Sequence, residues 1–167
     1  YTAVDMPASE FISLYRSGDQ RRTKYFKRVT SSTYSLLKGR SDEFSCSFRT
    51  AEFYLTAAEA AARLGHTTDA INYLTPLMAK RLNSSAYQTT TELINTMKEE
   101  ELIQEILDER ARELAFEGHR WYDLRRTTQP ALTRVYDGTT YTLLPEQYTM
   151  RFPSEAVEAN PKIKNKK

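Results

Sequence analysis

The sequence predicts a mainly α-helical fold, with helix hairpins packed together, irregular loops and one small β-hairpin. Three observations carry this expectation. Residues 96–126 combine a start signal, a sustained helical period and a stop signal. Residues 47–64, SFRTAEFYLTAAEAAARL, are rich in strong helix formers and end at Gly65. Asp137-Gly138 lies between residues that favour strands, which is the signal of a type I′ hairpin.

Residues 1–45 are the least regular part. Ser9 stands as a cap before Phe11, Ile12, Leu14 and Tyr15, and Gly18-Asp19 breaks that helix. Tyr25–Val29 reads as a strand and Ser31–Phe44 as a long loop. In 47–64, Ala51, Leu55, Ala58 and Ala62 form a narrow seam that admits another helix closely. A turn at His66 follows, with Thr67 or Thr68 as cap. Ala70, Ile71, Leu74, Leu77, Met78 and Arg81 then hold helical spacing. The two helices resemble a tetratricopeptide-like hairpin, which buries its face against a neighbour. Pro76 demands either a kink or a restart. Asn83-Ser84-Ser85 reads as the end of that helix and Tyr87–Thr91 as loop.

The longest helix is expected to open on a capping box of Thr96 and Glu99 and to stop at Gly118 in a left-handed conformation. Glu99, Glu100 and Glu101 suit the positive end of its dipole. On a helical wheel Leu102, Ile103, Ile106, Leu107 and Leu114 share one face, and Arg110, Glu113 and Glu117 fall on it too. A surface helix would put its charges on the far side. The arrangement implies a buried charge network of Arg110, Glu113, Glu117, Arg120 and Asp123 that locks the helix to the WYDLRR segment. Arg110 and Glu113, three apart, can pair within the helix. Arg120–Arg126 adds one or two helical turns. Tyr148, Met150 and Phe152 alternate as a short extended piece, and Pro153-Ser154 starts a last helical turn that ends before Asn160-Pro161.

Composition narrows the function. The chain has 167 residues, one domain in size or part of a larger one, and 40% of them are hydrophobic, enough to bury a core. Its 24 basic and 22 acidic side chains leave a net charge of +2, which makes no case for nucleic acid. The basic clusters, Arg21, Arg22, Lys24, Lys27 and Arg28 and then Lys162 to Lys167, read as solvated surface and a ragged tail. Cys46 is the single cysteine, so no internal disulfide forms, and it reads as a small buried hydrophobe. No run reaches the length of a membrane span.

Two stretches carry a family resemblance. Glu109, Arg110, Glu113, Leu114, Glu117, Gly118, Arg120, Asp123, Leu124 and Arg126, within ERARELAFEGHRWYDLRR, resemble the C-terminal signature of the SusD/RagB family. Upstream, Arg49, Glu52, Tyr54, Leu55, Ala58, Glu59 and Ala60 are similar to a second family pattern, in the right order. Gly18-Asp19-x-Arg21-Arg22 is similar to an Asp-x-Arg element that many members carry. Phe152-Pro153, Glu155, Asn160 and Pro161 fit the family's closing segment loosely, and its Pro-Ile-Pro form is absent.

The resemblance implies a nutrient-binding lipoprotein on the surface of the bacterial outer membrane. It would capture an oligosaccharide without catalysis and hand it to a TonB-dependent, SusC-like transporter. Such proteins are anchored through a lipidated N-terminus, which is expected to lie outside this chain. The resemblance therefore implies the C-terminal portion of a single larger domain: residues 1–45 loop-rich, 46–130 a helical core, 131–167 hairpin and tail. Alternatives are a peptide nutrient bound in the same kind of complex, a helical-repeat interaction module and, last, a glycoside hydrolase.

Glu113 and Glu117, one turn apart, have a spacing that carboxylate catalysis can use, but arginines interleave them and an acid catalyst needs a raised pKa. No catalytic residue is assigned. His66 and His119 lie in no ligand spacing, and no metal or cofactor is expected. Trp121 and Tyr122 read as packing rather than a sugar platform. Aromatics expected on loops, Tyr25, Tyr34 and Tyr87, are the glycan-binding candidates, with most of the site expected outside this chain.

Overall fold

The structure, a computed structural model, describes residues 9–31, 33–38, 49–160 and 162–163. Readings that rest on Cys46 or Pro161 lie outside these residues. The fold is mainly α-helical, with two small antiparallel hairpins. In chain order the elements are α1 (Ser9–Ser13), α2 (Arg21–Tyr25), β1 (Phe26–Arg28), β2 (Tyr34–Leu36), α3 (Thr50–Arg63), α4 (Thr67–Met78), α5 (Ser84–Ile94), α6 (Glu99–Glu113), α7 (His119–Arg126), β3 (Leu132–Tyr136), β4 (Thr139–Leu143) and α8 (Ser154–Ala159). They form two compact units, Tyr1–Arg120 and Trp121–Lys167.

The first unit is built on the hairpin of α3 and α4, with α6 laid against both. The seam Ala51, Leu55, Ala58 and Ala62 is buried, and small side chains there let Leu74 and Met78 of α4 and Leu102 and Ile106 of α6 pack close. The turn after α3 closes as the spacing predicts. Gly65 takes φ +76°, its amide bonds Ala62 O, and the His66 amide bonds Ala61 O, the paired bonds of a Schellman motif. His66, not a threonine, stands at the cap of α4, and no side chain completes it. Pro76 neither breaks nor restarts α4; it sits in the last turn, which runs on to Met78.

Further expectations in this unit are corrected. Tyr87–Thr91 is helical, within α5, and Asn83 opens that helix: its side chain accepts the Ala86 amide at 2.9 Å. The Ser/Thr-rich stretch looked like a loop because hydroxyl side chains compete for backbone bonds, and packing of Ile94 and Tyr87 on the core outweighs that. Helix α6 begins two residues later than expected. The Lys98 amide bonds Glu101 Oε2 at 2.8 Å, while Thr96 turns back to bond Leu93 O. Its end comes at Glu113, before Gly118, for a reason given below. Within 31–44, expected as loop, Tyr34–Leu36 is a strand paired with β1, Phe26 opposite Leu36 and Arg28 opposite Tyr34.

Beneath that hairpin lies a second, aromatic cluster. Ile12, Tyr15 and Phe26 are buried, with Phe11, Tyr25, Tyr34 and Leu36 against them. Its rings meet edge to face, Tyr15 to Phe26 at 5.2 Å and Phe11 to Phe116 at 5.8 Å, as ring quadrupoles favour.

In the second unit, β3 and β4 form the expected two-residue hairpin. Asp137 at φ +47° and Gly138 at φ +72° satisfy the type I′ turn. Tyr148 does not lie in an extended piece: Pro145–Tyr148 is one 3-10 turn, and Tyr148 stacks on Trp121 with ring centroids 5.1 Å apart. Ser154–Ala159 is the final helical turn, ended at Asn160.

Candidate functional site

Charged side chains converge where α6 leaves the apolar core. Leu102 and Ile106 of α6 enter that core, and Glu105, Glu109, Arg112 and Glu113 are also buried. Their spacing of four, three and one places them along the side of the helix that meets residues 14–21 and 81. Carboxylates go into an interior only when paired and hydrogen-bonded, so each needs a cation brought by another element.

Arg21 serves Glu109 and Glu113 together. Its Nη1 donates to Glu109 Oε1 at 2.6 Å and to Glu113 Oε2 at 2.9 Å, and its Nη2 to Glu109 Oε2 at 3.1 Å. Asp19 accepts from the Nε at 3.0 Å and from the Nη2 at 2.8 Å, which holds the guanidinium in its plane. Asp19 also accepts the Arg21 amide, so the Asp-x-Arg spacing makes a local clasp. Arg112 extends the network along α6, to Glu109 at 2.8 Å and Glu105 at 2.6 Å, and Arg16 closes on Glu105. Gly18 sets the approach of this segment. It takes φ +82°, and a Cβ there would lie 2.6 Å from the Ala86 Cβ. The Gln20 amide bonds Arg81 O, and the Asn83 amide bonds Gly18 O.

Glu113 gathers three arginines. Arg81 meets it side by side, with two bonds of 2.8 Å; Arg21 and Arg49 complete the set. The Glu113 carbonyl accepts from Lys38 Nζ at 2.8 Å and Arg49 Nη1 at 3.0 Å. Two side chains from distant parts of the chain thus take the place of the next helical amide, and α6 stops there. Phe116 then turns at φ +63°, and Glu117 folds back onto Lys38 and Arg49. A bulky residue in that region stores strain, which its rings' contact with Phe11 and Phe26 offsets.

The electrostatics follow from this crowding. Burial alone would push the Glu113 carboxyl up, but bonds to Arg81 and the charges of Arg81, Arg21 and Arg49 hold it down to about 2. Burial likewise works against the charge on Arg21, and Glu109 and Asp19 outweigh it, so Arg21 is held more firmly charged. Tyr15 is pushed up by burial; its hydroxyl donates to Arg112 O at 2.8 Å. Burial lowers Lys38, against the pull of Glu117. A carboxyl held near 2 has no proton to give at neutral pH, so Glu113 is unsuited to general-acid chemistry.

The structure distributes the other sequence candidates. Arg110 is buried and donates to Thr56 Oγ1 at 3.3 Å. The cations on Glu117 are Lys38 and Arg49. Arg120 is exposed, and Asp123 is buried and bonded by Arg126 at 2.7 Å. None of the three tyrosines lies on a loop. Tyr25 ends α2, with Lys38 Nζ 4.6 Å from its ring centre; Tyr34 lies in β2; and Tyr87 packs from α5 onto the core of α3, α4 and α6. Tyr25 and Tyr34 are together in the aromatic cluster, and Tyr87 belongs to a different one. Trp121 is stacked on Tyr148, while Tyr122 is 66% exposed. His119 Nδ1 is 3.5 Å from Glu52. Among the described residues no group of three His, Cys, Asp or Glu is placed to hold a metal ion, and no helix is long and apolar enough to cross a membrane.

Sequence reasoning missed Asp19, Arg21, Arg81, Lys38, Glu105 and Arg112 as members of the network. The usable signals are the Asp-x-Arg spacing and the charges that fall on the apolar face of α6. Arg81 and Lys38 carried no local sign.

Comparison with known proteins places this geometry. Residues 8–165 match the SusD family. A SusD-like protein, P38 of Formosa agariphila, is 39% identical over 83 residues, which is 49% of this chain and 16% of that protein. The crystal structure of a presumed sugar-binding protein from Bacteroides vulgatus superposes with a TM-score of 0.68 at 22% identity, covering 95% of this chain and 38% of the other. The chain thus spans about a sixth of the curated relative.

Proposed function

This chain belongs to the SusD family, and from that premise we propose that it serves the non-catalytic capture of an oligosaccharide at the bacterial cell surface. The bound glycan passes to a TonB-dependent, SusC-like transporter of the outer membrane, on whose outer face the protein is lipid-anchored. The observation that carries this reading is the match over nearly the whole chain to a family with a presumed sugar-binding structural neighbour. The buried network supports the non-catalytic half. Its carboxylates are interleaved with arginines, and Glu113 is held ionised far below neutral pH. The network's role is to hold the fold.

Calorimetric titration of the protein, as its full gene encodes it, against a panel of plant and host oligosaccharides tests the reading. Heat of binding with at least one glycan, and no release of reducing ends, is the expected result. Turnover by the protein alone overturns the non-catalytic assignment. A second reading, a peptide nutrient or a protein partner, is favoured by Phe53 on α3 and Leu64 just after it, 62% and 71% exposed. It prevails if no glycan gives heat while the transporter still binds.

A further inference from the structure

The basic stretch of the first unit has no part in the network just described, apart from Arg21. From Gln20 to Arg40 there is no acidic residue. Arg21 is buried and Lys38 half-buried, and both are paired with carboxylates. Arg22, Lys24, Lys27 and Arg28 are instead exposed, and none of them has an ion pair among the described residues. Four cations within seven residues repel one another and keep their full reach into solvent.

This run is held on a stiff support. Phe26 is buried in the aromatic cluster and anchors β1, so Lys27 projects from the opposite side of the strand. Arg28 lies directly opposite Tyr34 in the hairpin, on the same face. Its guanidinium donates to the carbonyls of Thr30 at 3.0 Å and Ser31 at 3.1 Å, which fixes its direction and leaves Nη1 unused in those bonds. Tyr34 is half-buried against the cluster. The turn carries hydroxyls, with Thr30 and Thr33 bonded at 2.6 Å. Guanidinium and ammonium groups, a fixed aromatic ring and hydroxyls suit a sugar chain that bears negative charge. Val29 is the one exposed large apolar side chain at the tip, 57% exposed, which gives a lipid surface little to hold.

We propose that the exposed cations Arg22 and Lys24 of α2 and Lys27 and Arg28 of β1, with Tyr34 opposite Arg28, form a subsite for an anionic polysaccharide, one that carries sulfate esters or uronate carboxylates. The inference rests on the glycan-capture reading and specifies its ligand class. Arginine meets the sulfate or carboxylate oxygens through paired bonds, and lysine adds field. Attraction of this kind is screened by salt.

The test uses the protein as its full gene encodes it and three probes: a sulfated galactan, its chemically desulfated form and polygalacturonate. Binding is measured by calorimetry at low and high salt. The sulfated galactan or the polygalacturonate is expected to bind about tenfold more tightly than the uncharged chain, with the gap closing as salt rises. The triple variant Arg22→Gln, Lys24→Gln, Lys27→Gln is expected to erase that preference, leave binding of the desulfated chain intact and unfold at the same temperature. Equal binding of charged and uncharged chains overturns the subsite and leaves glycan capture standing. A triple variant that keeps the preference also overturns it. Loss of adsorption to phosphatidylglycerol vesicles in the triple variant, with glycan preference unchanged, reassigns the patch to a membrane and overturns it. Absence of heat with every glycan overturns both the subsite and the reading beneath it.

Discussion

Arg21 and Glu109 lie 88 residues apart in the chain and meet side by side, through bonds of 2.6 Å and 3.1 Å, with at most 2% of either side chain exposed. A pair buried this deeply adds little over a well-packed apolar replacement of both partners, because taking two charges out of water costs about as much as their attraction returns. Removing one partner is another matter, since the other charge stays behind.

Arg21→Ala is therefore expected to destabilise the protein by about 3–5 kcal/mol, since it takes from Asp19, Glu109 and Glu113 the cation that they share in the interior. Arg21→Lys is expected to rescue it only in part, because an ammonium cannot reproduce the planar fork. Urea denaturation of both variants measures this. A loss for Arg21→Ala no larger than about 0.5 kcal/mol, the range of surface substitutions, refutes the network's structural role.

Acid should act through Glu113. Its folded pKa, about 2, lies below the ordinary carboxyl value of 4.5. The folded state therefore binds fewer protons than the unfolded chain between those values, and stability falls as pH drops. The contribution is fully present above about 4.5, is lost on the way down to about 2, and amounts to about 3 kcal/mol. Denaturation midpoints from pH 6 downward, about one unit apart, should show this slope. Glu113→Gln should be less stable at neutral pH and show a shallower decline.

Gly18→Ala is expected to cost about 2–5 kcal/mol, from a strained positive φ and a Cβ placed 2.6 Å from Ala86. Gly138→Ala, at positive φ but in open space, should cost only about 1–2 kcal/mol. Thermal melts of the two variants separate crowding from backbone strain. Equal losses would show that the contact with Ala86 relaxes.

Trp121 is the single tryptophan, so its emission reports on its stack with Tyr148. Tyr148→Ala should shift that emission to the red and cost about 3–5 kcal/mol. Tyr148→Phe should keep the emission and cost about 1 kcal/mol, for the lost bond to Pro130 O. An unchanged spectrum in Tyr148→Ala would contradict the stack.

The sequence disclosed what local chemistry decides. The seam of α3, the Gly65 stop and the Asp137-Gly138 turn are each set by a few neighbouring residues, and each formed as read. The end of α6 was misread because Lys38 and Arg49, 75 and 64 residues upstream, terminate it on the Glu113 carbonyl. Helix α5 was misread because propensity is a weak prior against packing. In the charge network the carboxylates of α6 were legible, since charges on an apolar face call for partners. Which cations came to meet them was not, because Arg21 and Arg81 reach Glu113 only through the path of the folded chain. Tyr25, Tyr34 and Tyr87 read as loop residues from local composition, and all three sit on regular elements.

The clasp of Asp19 and Arg21 bears on how the protein can be dissected. A fragment that starts at Arg49 would retain every helix from α3 onward, and by secondary structure alone it looks self-sufficient. It would also carry Glu109 without Arg21, and Glu113 with two of its three arginines. Any expression boundary for the helical core thus belongs upstream of Gly18, ahead of the counter-ions that this core borrows from the N-terminal segment.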